Sequence, residues 1–371
     1  MVSGVPQAVR PFFSIIIPCC DVEPYLRECL DSVVKQPFAD WECILGVEAS
    51  KDKTEEIVRE YVAKDPRFRM FTGPRSGSCS ASRNTGTDMA EGEYVIFLDG
   101  DDTIAEGSLL RLHDKIAERP GADLYPCAIR MYDGTTGKDL ELRDNYPANA
   151  TQSLTGPEAT LLSARHHKGV GPPCPMLQMT VFRRAFLVQY GLKCIPGLRR
   201  QDSEFSPRAL YLAKQVVPLH EPFYLYRCRA GSVSSSARGG GYFHRDWAII
   251  LRSLFEFHAA ASREDGFDSR LSGCWARQWL SLVAYFWFAP ENVRLIPRTR
   301  RVETLREMFS NGFDDFRRLL SASTAARRVA GWWIRAFVRH PAMRPAAEWF
   351  FRLYFRLAEA KRKNTTCSSS A

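Results

Sequence analysis

Over its first hundred residues the chain alternates short continuous apolar runs with longer stretches whose apolar residues recur every three or four positions. "FFSIIIPCC", beginning at Phe12, is β-branched and closed by Pro18. It reads as a strand buried on both faces, because a half-exposed strand would alternate apolar with polar residues. "EPYLRECLDSVVKQ" then sets Tyr25, Leu26, Cys29, Leu30, Val33 and Val34 at helical spacing. "WECILGVEAS" reads as a second strand, and "KTEEIVREYVAKD" as a second helix with Ile57, Val58, Tyr61 and Val62 on one face. "FRMFTG" is a third strand, "SASRNTGTDMAEG" a third helix and "YVIFLDG" a fourth strand. That rhythm predicts an α/β fold: a doubly wound, mainly parallel sheet with helices on both faces. Ligands of such sheets bind beyond the carboxyl ends of the strands. Chemistry is therefore expected at Pro18 to Asp21, Glu48 to Asp52, Gly73 to Ser82 and Asp99 to Asp102.

From about Ala122 the pattern is less regular. "DLYPCAIRMYD" reads as one strand, followed by a Gly/Asn-rich stretch from Gly134 to Asn149 without a predicted element. "TVFRRAFLVQYGL" reads as a strand leading into a helix that stops at Gly191, and "QDSEFSPRALYLAK" as a helix starting near Gln201. "FYLYRCRAGSVSSS" is a strand running into a polar loop, and "SSSARGGGY" has the composition of a linker, which puts a domain boundary near residue 240. Beyond it the sequence reads as aromatic-rich helices holding seven of the eight tryptophans. The segment from Arg317 to Lys363 carries twelve Lys+Arg against two Glu. A basic aromatic helix suits a membrane interface, and equally a solvated face of helices packed on the domain before it.

Composition narrows the class. The chain has 371 residues, 45% hydrophobic and 25% charged, which is ordinary for a globular protein of two or three domains. Its eleven cysteines are odd in number and form no C-x-x-C pair, so reduced thiols in a cytoplasmic protein are expected. "MVSGVPQAVRPFF" lacks the apolar core of a signal peptide, and the best apolar run, "LVAYFWFA" from Leu282 to Ala289, falls well short of a membrane span. Net charge hides an asymmetry: residues 1–150 hold 17 Lys+Arg against 26 Asp+Glu, and residues 151–371 hold 34 against 16. A basic second half fits a nucleic acid, an anionic membrane or a phosphorylated ligand.

Asp99, Asp101 and Asp102 crowd three carboxylates at the end of the fourth strand. A calcium-hand loop is excluded, since its sixth and twelfth positions would be Ile104 and Leu110 in place of the required Gly and Glu. Three neighbouring acids raise one another's pKa unless a cation compensates. The cluster is therefore either an exposed acidic turn or a site for Mg²⁺ or Mn²⁺ completed by substrate phosphates. Glu48 ends an apolar strand where an acid can accept from the ring N–H of a base, with Ser50 or Asp52 left to cap the next helix. Arg83 and Asn84 follow a Gly/Ser loop suited to a diphosphate or base. His220 and His244 are read as structural or exposed rather than as ligands. One nucleotide would touch all four strand ends.

The series resembles the family-2 glycosyltransferases of GT-A fold, of the bacterial cell-surface polysaccharide type. "SIIIPCCDVEPYLRECLDSVVKQ" is similar to that family's opening strand and helix, "ECILGVEASKDKT" to its acidic second strand end, and "SGSCSASRNTGTDMAEGEYVIFLDGDD" to the segment entering its D-x-D motif. "RRQDSEF" resembles its acid-acid motif and "YLYRCRAGSVS" its Tyr-Arg and Ser-x-Ser segment, so the resemblance covers roughly residues 12–235. It implies that Pro18, Asp21 and Glu48 surround the nucleoside, with Arg83 near the base or diphosphate and Asp99 by the ribose and metal. It further implies Asp101 as the main metal ligand and Asp202 as the catalytic base, with Gln201, Arg227, Arg229 and Ser232 as candidates for the diphosphate or acceptor. Gln201 stands where the family usually has an acid, Asp21 where Asn is commoner, and Val47-Glu48 where an Asp-Asp pair is usual.

The implied activity is an inverting transfer from a nucleotide sugar, a UDP-sugar first, to a glycan or lipid-linked acceptor. The implied place is the cytoplasm, at the inner face of the plasma membrane through the basic C-terminal region. The implied layout is a GT-A domain over residues 10–238, divided into a nucleotide half (10–125) and an acceptor half (126–238), then a helical extension (239–316) and a basic aromatic tail (317–371). A nucleotidyltransferase would carry a Gly- and Lys/Arg-rich loop after the first strand, where this chain has the acidic "PCCDVEPY". A nucleic-acid binder would leave the acidic first half unexplained, so no nucleic acid is expected. A non-catalytic donor-binding or membrane-scaffold homologue is the remaining alternative.

Overall fold

A computed structural model describes residues 10–166, 176–229, 242–276, 283, 297–309, 325–347 and 350–351. Two compact units make up the chain, Met1–His167 with Pro173–Ser232, and Lys168–Pro172 with Val233–Ala371.

The first unit opens with β1 (Phe13–Cys19), α1 (Glu23–Val34), β2 (Trp41–Glu48), α2 (Thr54–Lys64), β3 (Phe68–Gly73), α3 (Ser80–Met89) and β4 (Tyr94–Phe97). There follow β5 (Thr103–Ile104), α4 (Ser108–Glu118), β6 (Leu124–Pro126), β7 (Ile129–Asp133), β8 (Asp139–Arg143) and α5 (Gly156–His166). The unit closes with β9 (Thr180–Arg183), α6 (Arg184–Gln189), α7 (Asp202–Leu212) and β10 (Tyr224–Cys228). Six strands form the main sheet in the order β3-β2-β1-β4-β9-β6, and four form a smaller one in the order β5-β10-β7-β8.

β3, β2, β1 and β4 run parallel, joined through the predicted helices. β9 is antiparallel to both β4 and β6, so the sheet is mixed and not parallel throughout. No single crossover helix joins β4 to β9, and nothing therefore imposes the parallel direction there. "DLYPCAIRMYD" is likewise two strands in two sheets. The Cys127 amide still donates to Met179 beside the main sheet (2.7 Å), whereas that of Ala128 donates to Glu221 (3.0 Å), so the chain changes sheets between them. The stretch expected to be irregular contains β8, and α5 was not predicted.

Why the opening strands read as unbroken apolar runs is plain from their burial. Phe13, Ile15 and Ile17 of β1 pack in one core with Leu26, Leu30 and Val33 of α1 and Ile57 and Val58 of α2. Ile16 between them turns to the opposite core, with Phe182 and Phe186 of β9 and α6 and Phe205 of α7. The strand is thus sandwiched, with no solvent face to reward a polar residue. Helix α3 lies close on this sheet because of two glycines. A Cβ at Gly86 would sit 2.5 Å from Cγ2 of Ile16, and one at Gly46 would sit 2.9 Å from Cβ of Ser82 on α3.

In the second unit the described helices include Tyr242–Ala261, Arg298–Phe309 and Ala325–Arg339. Leu251, Leu254, Leu271, Leu305, Ile334 and Phe337 are fully buried there, while Trp332 is 54% exposed. Among the described residues no helix is long and apolar enough to cross a membrane. Ser232, the linker-like stretch 233–241 and most of "LVAYFWFA" lie outside the described residues, as does the side chain of His244.

Candidate active site

The loop after β4 joins the two sheets, because β5 follows it directly and pairs with β10. Gly100 lets the loop run close under the end of β1: a Cβ there would meet the Pro18 carbonyl and Cγ2 of Val22, each at 3.2 Å. Asp99, Asp101 and Asp102 are thereby aimed in three directions, and each has a different set of partners.

Asp99 is paired with Arg83 through Nη2, and its Oδ2 accepts from Nε2 of Gln178 at 2.8 Å. Arg83 is 1% exposed. Burial is the largest single influence and opposes its charge, but the Asp99 carboxylate together with its other neighbours raises its pKa, so the guanidinium stays ionised. Its Nη1 faces Gln201, whose amide oxygen accepts from it while the amide nitrogen donates to the Leu198 carbonyl at 3.2 Å. The opposite amide orientation would set two donors against each other. Gln201 thus ties Arg83 to the start of α7, and Arg83 ties α3 to the acidic loop. An acid at position 201 would give Arg83 a second counter-charge; glutamine gives it a neutral acceptor.

Asp101 accepts from Nε and Nη2 of Arg229 on one oxygen, Oδ2, at 3.0 and 2.7 Å. Its Oδ1 has no side-chain partner among the described residues. Burial, followed by the charge of Asp99, raises the Asp101 carboxyl above the ordinary range, and Arg229 pulls it partly back. Arg227 lies beside it, donating from Nε to the Asp101 carbonyl (2.9 Å) and from Nη2 to Glu28 on α1 (2.6 Å).

Asp102 points inward and is 2% exposed. Its Oδ2 accepts from the Tyr224 hydroxyl at 2.6 Å and its Oδ1 from the Arg227 amide at 2.7 Å. The same hydroxyl accepts from the amide of Asp99 at 3.1 Å. Burial and the charges of Asp101 and Asp99 push the Asp102 carboxyl well up, and burial with Asp102 does the same to the Tyr224 phenol, which therefore stays a donor. Asp102 and Tyr224 bolt the acidic loop to β10.

The other strand ends carry the remaining candidates. Asp21, beyond β1, has a left-handed backbone (φ 51°) and pairs with Arg75 at 2.6 Å while accepting from the Lys51 amide at 2.7 Å. The Arg75 hydrogen bond holds its carboxyl below the ordinary range. Both oxygens of Glu48 accept from serines: Oε2 from the Ser76 amide (2.9 Å), and Oε1 from the hydroxyls of Ser76 (2.7 Å) and Ser82 (3.2 Å). Asp52 accepts from the amides of Thr54 and Glu23, so it fixes the starts of α2 and α1 together. Asp202 opens α7; burial raises its carboxyl, against the pull of Arg200 and Arg83. His220 is bonded to Asp144 (2.6 Å) and to the Ala150 carbonyl (3.1 Å).

Among the described residues no three His, Cys, Asp or Glu side chains converge as a metal cage. The donor set instead suits a hard divalent ion held by one or two carboxylates and completed by substrate oxygens. Asp101 offers an oxygen without a side-chain partner among the described residues, and it already attracts a guanidinium as a cation at its other one. Gln178, Tyr224 and Glu28 were not anticipated. Tyr224 and Glu28 fall within family-like segments without having been singled out there, Gln178 falls within none, and Gln178 and Tyr224 are 79 and 125 positions from the Asp99 they touch.

Residues 14–186 match the model of "Glycosyl transferase family 2". An uncharacterized glycosyltransferase of Haemophilus influenzae is 38% identical over 254 residues, covering 67% of this chain and 94% of that protein. The uncharacterized glycosyltransferase EpsJ of Bacillus subtilis is 31% identical over 227 residues, covering 60% of this chain; the match spans 63% of EpsJ. The crystal structure of S. aureus TarS 1-349 in complex with UDP-GlcNAc superposes with a TM-score of 0.68 at 20% identity, over 93% of this chain and 92% of that one. With the sheet order, the acidic loop at its carboxyl edge and a relative aligned over nearly its whole length, the chain belongs to glycosyl transferase family 2.

Proposed function

We propose that the protein transfers a sugar, with inversion, from a nucleotide sugar to a hydroxyl of a cell-surface glycan or its lipid-linked precursor. The observation that carries this reading is the state of the acidic loop. Asp99 is charge-paired with Arg83 and hydrogen-bonded by Gln178, and Asp102 is turned inward, so among the described residues Asp101 is the loop carboxylate that keeps an oxygen without a side-chain partner at the carboxyl edge of the parallel strands. A bound Mg²⁺ or Mn²⁺ would supply Lewis-acid stabilisation of the departing nucleoside diphosphate. Asp101 would hold it, with Asp99 toward the ribose.

The chain's own groups support the remaining steps. Asp202 accepts the proton of the acceptor hydroxyl, and its raised pKa makes it a stronger base than an exposed aspartate. Attack from the side of Asp202, opposite the leaving diphosphate, inverts the anomeric centre. Asp21 with Arg75 borders the nucleoside beside Pro18, and Glu48 shapes that border through Ser76 and Ser82. Arg83 and Gln201 act through Asp99 and the start of α7, while Arg227 and Arg229, and by the family resemblance Ser232, are the candidates to meet the diphosphate or acceptor. Residues 10–238 form the transferase domain in this reading, and the basic helices after it meet an anionic membrane surface at its inner face.

The test is direct. UDP-, GDP- and other nucleotide sugars are screened with Mn²⁺ for binding and slow hydrolysis, UDP-sugars first because the TarS structure holds one. One donor class binds and is hydrolysed by the parent, and Asp101→Ala lowers hydrolysis by roughly 10²- to 10³-fold, as expected for lost charge stabilisation. Absence of binding by every donor would overturn the reading.

A further inference from the structure

Arg227 and Arg229 flank the acidic loop in different ways. Arg227 is 8% exposed and fixed on three sides, by Glu28, by the Asp101 carbonyl and by Asp102 through its amide. Arg229 meets one carboxylate among the described residues, that of Asp101, through a fork of two donors on a single oxygen. Its guanidinium also lies 4.7 Å from the ring centroid of Tyr25. Both side chains of the pair keep contact with solvent, at 24% and 23% exposure. Each outward carboxylate of the loop thus has its own cation: Arg83 on Asp99, Arg229 on Asp101. Arg83 is buried and locked between Asp99 and Gln201, so only the Arg229 pair can open without disturbing the core.

From this pairing we infer that Arg229 is the resting counter-ion of Asp101: it competes with the divalent cation for that carboxylate and leaves when the cation binds. A guanidinium and a divalent ion on one carboxylate repel each other, so each weakens the other's hold on it. The loop is thereby kept electrically balanced before donor arrives, and the cation's arrival frees a planar two-donor group beside the diphosphate, a ligand that guanidinium matches in geometry. Metal entry and diphosphate capture become linked. The inference rests on the proposed role of Asp101 as the metal ligand.

Mn²⁺ alone, without nucleotide, is titrated into the full chain, and free Mn²⁺ is followed by electron paramagnetic resonance for the parent, Arg229→Met, Arg229→Gln and Asp101→Asn. Met keeps apolar contact with Tyr25 and Gln keeps polarity, so agreement between them separates loss of the charge from a change in packing. Both replacements should bind Mn²⁺ about fivefold more tightly, the size expected on losing a partly exposed ion pair as competitor. Asp101→Asn should abolish the site. If the Arg229 variants bind Mn²⁺ no better than the parent while Asp101→Asn still abolishes binding, the competition is refuted and the metal site stands. If Asp101→Asn binds as the parent does, the metal site itself is refuted and the inference with it.

Discussion

Asp202 stands in the first turn of α7, where the helix end, Arg200 and Arg83 favour its ionised form and burial opposes it. Burial prevails, and its carboxyl titrates above the ordinary 3.8. A general base works only when ionised, so turnover should rise with pH through that raised value, and the acid limb of the kcat profile should lie above 3.8. Asp202→Asn should cut kcat by roughly 10²- to 10⁴-fold and remove that limb together with the activity. Full turnover in Asp202→Asn would show that another group is the base. At this scale the sequence was partly legible. Asp99, Asp101 and Asp202 were visible as carboxylates at strand and helix ends, but that Glu48 is held by two serines, and Arg83 by Asp99 and Gln201, depends on segments that meet only in the folded chain.

The acidic loop and β10 behave as one element. Tyr224 bridges them by donating to Asp102 and accepting from the Asp99 amide, so its hydroxyl orients the backbone that carries both outward carboxylates. Tyr224→Phe keeps the ring in its buried place and removes only this bridge. It should lower stability by about 1–3 kcal/mol, the cost of leaving buried polar partners unmade. It should also raise the Mn²⁺ concentration for half-maximal turnover by roughly 10- to 100-fold, as when a group that orients a metal ligand is lost. An unchanged Mn²⁺ requirement alongside a lowered melting temperature would reduce Tyr224 to a packing residue. Strands and helices up to β4 were readable because each buries a local, periodic face; the division of "DLYPCAIRMYD" was not, since Cys127 and Ala128 bond to partners more than fifty positions away.

Across the whole molecule the charge is segregated: residues 1–150 carry 17 Lys+Arg against 26 Asp+Glu, and the rest carries the basic excess. The helix Ala325–Arg339 buries Ile334 and Phe337 while exposing Trp332, an aromatic beside arginines of the kind that sits at a lipid interface. Vesicles of anionic lipid should therefore float the full chain at low salt, and high salt should release it within a shortened screening length. Residues 1–316 should float less; equal recovery of the two would remove the C-terminal segment from membrane binding. By itself the sequence determined the layered α/β architecture and the places where chemistry gathers, because periodic burial and clustered charge are local properties of the chain, and its series of motifs carried the family resemblance. Tertiary structure alone decided how three adjacent aspartates divide their work. Asp99 goes to a buried arginine, Asp102 to a strand more than a hundred residues later, and Asp101 to the partly exposed Arg229, since a carboxylate's role is fixed by the charges and donors folded around it.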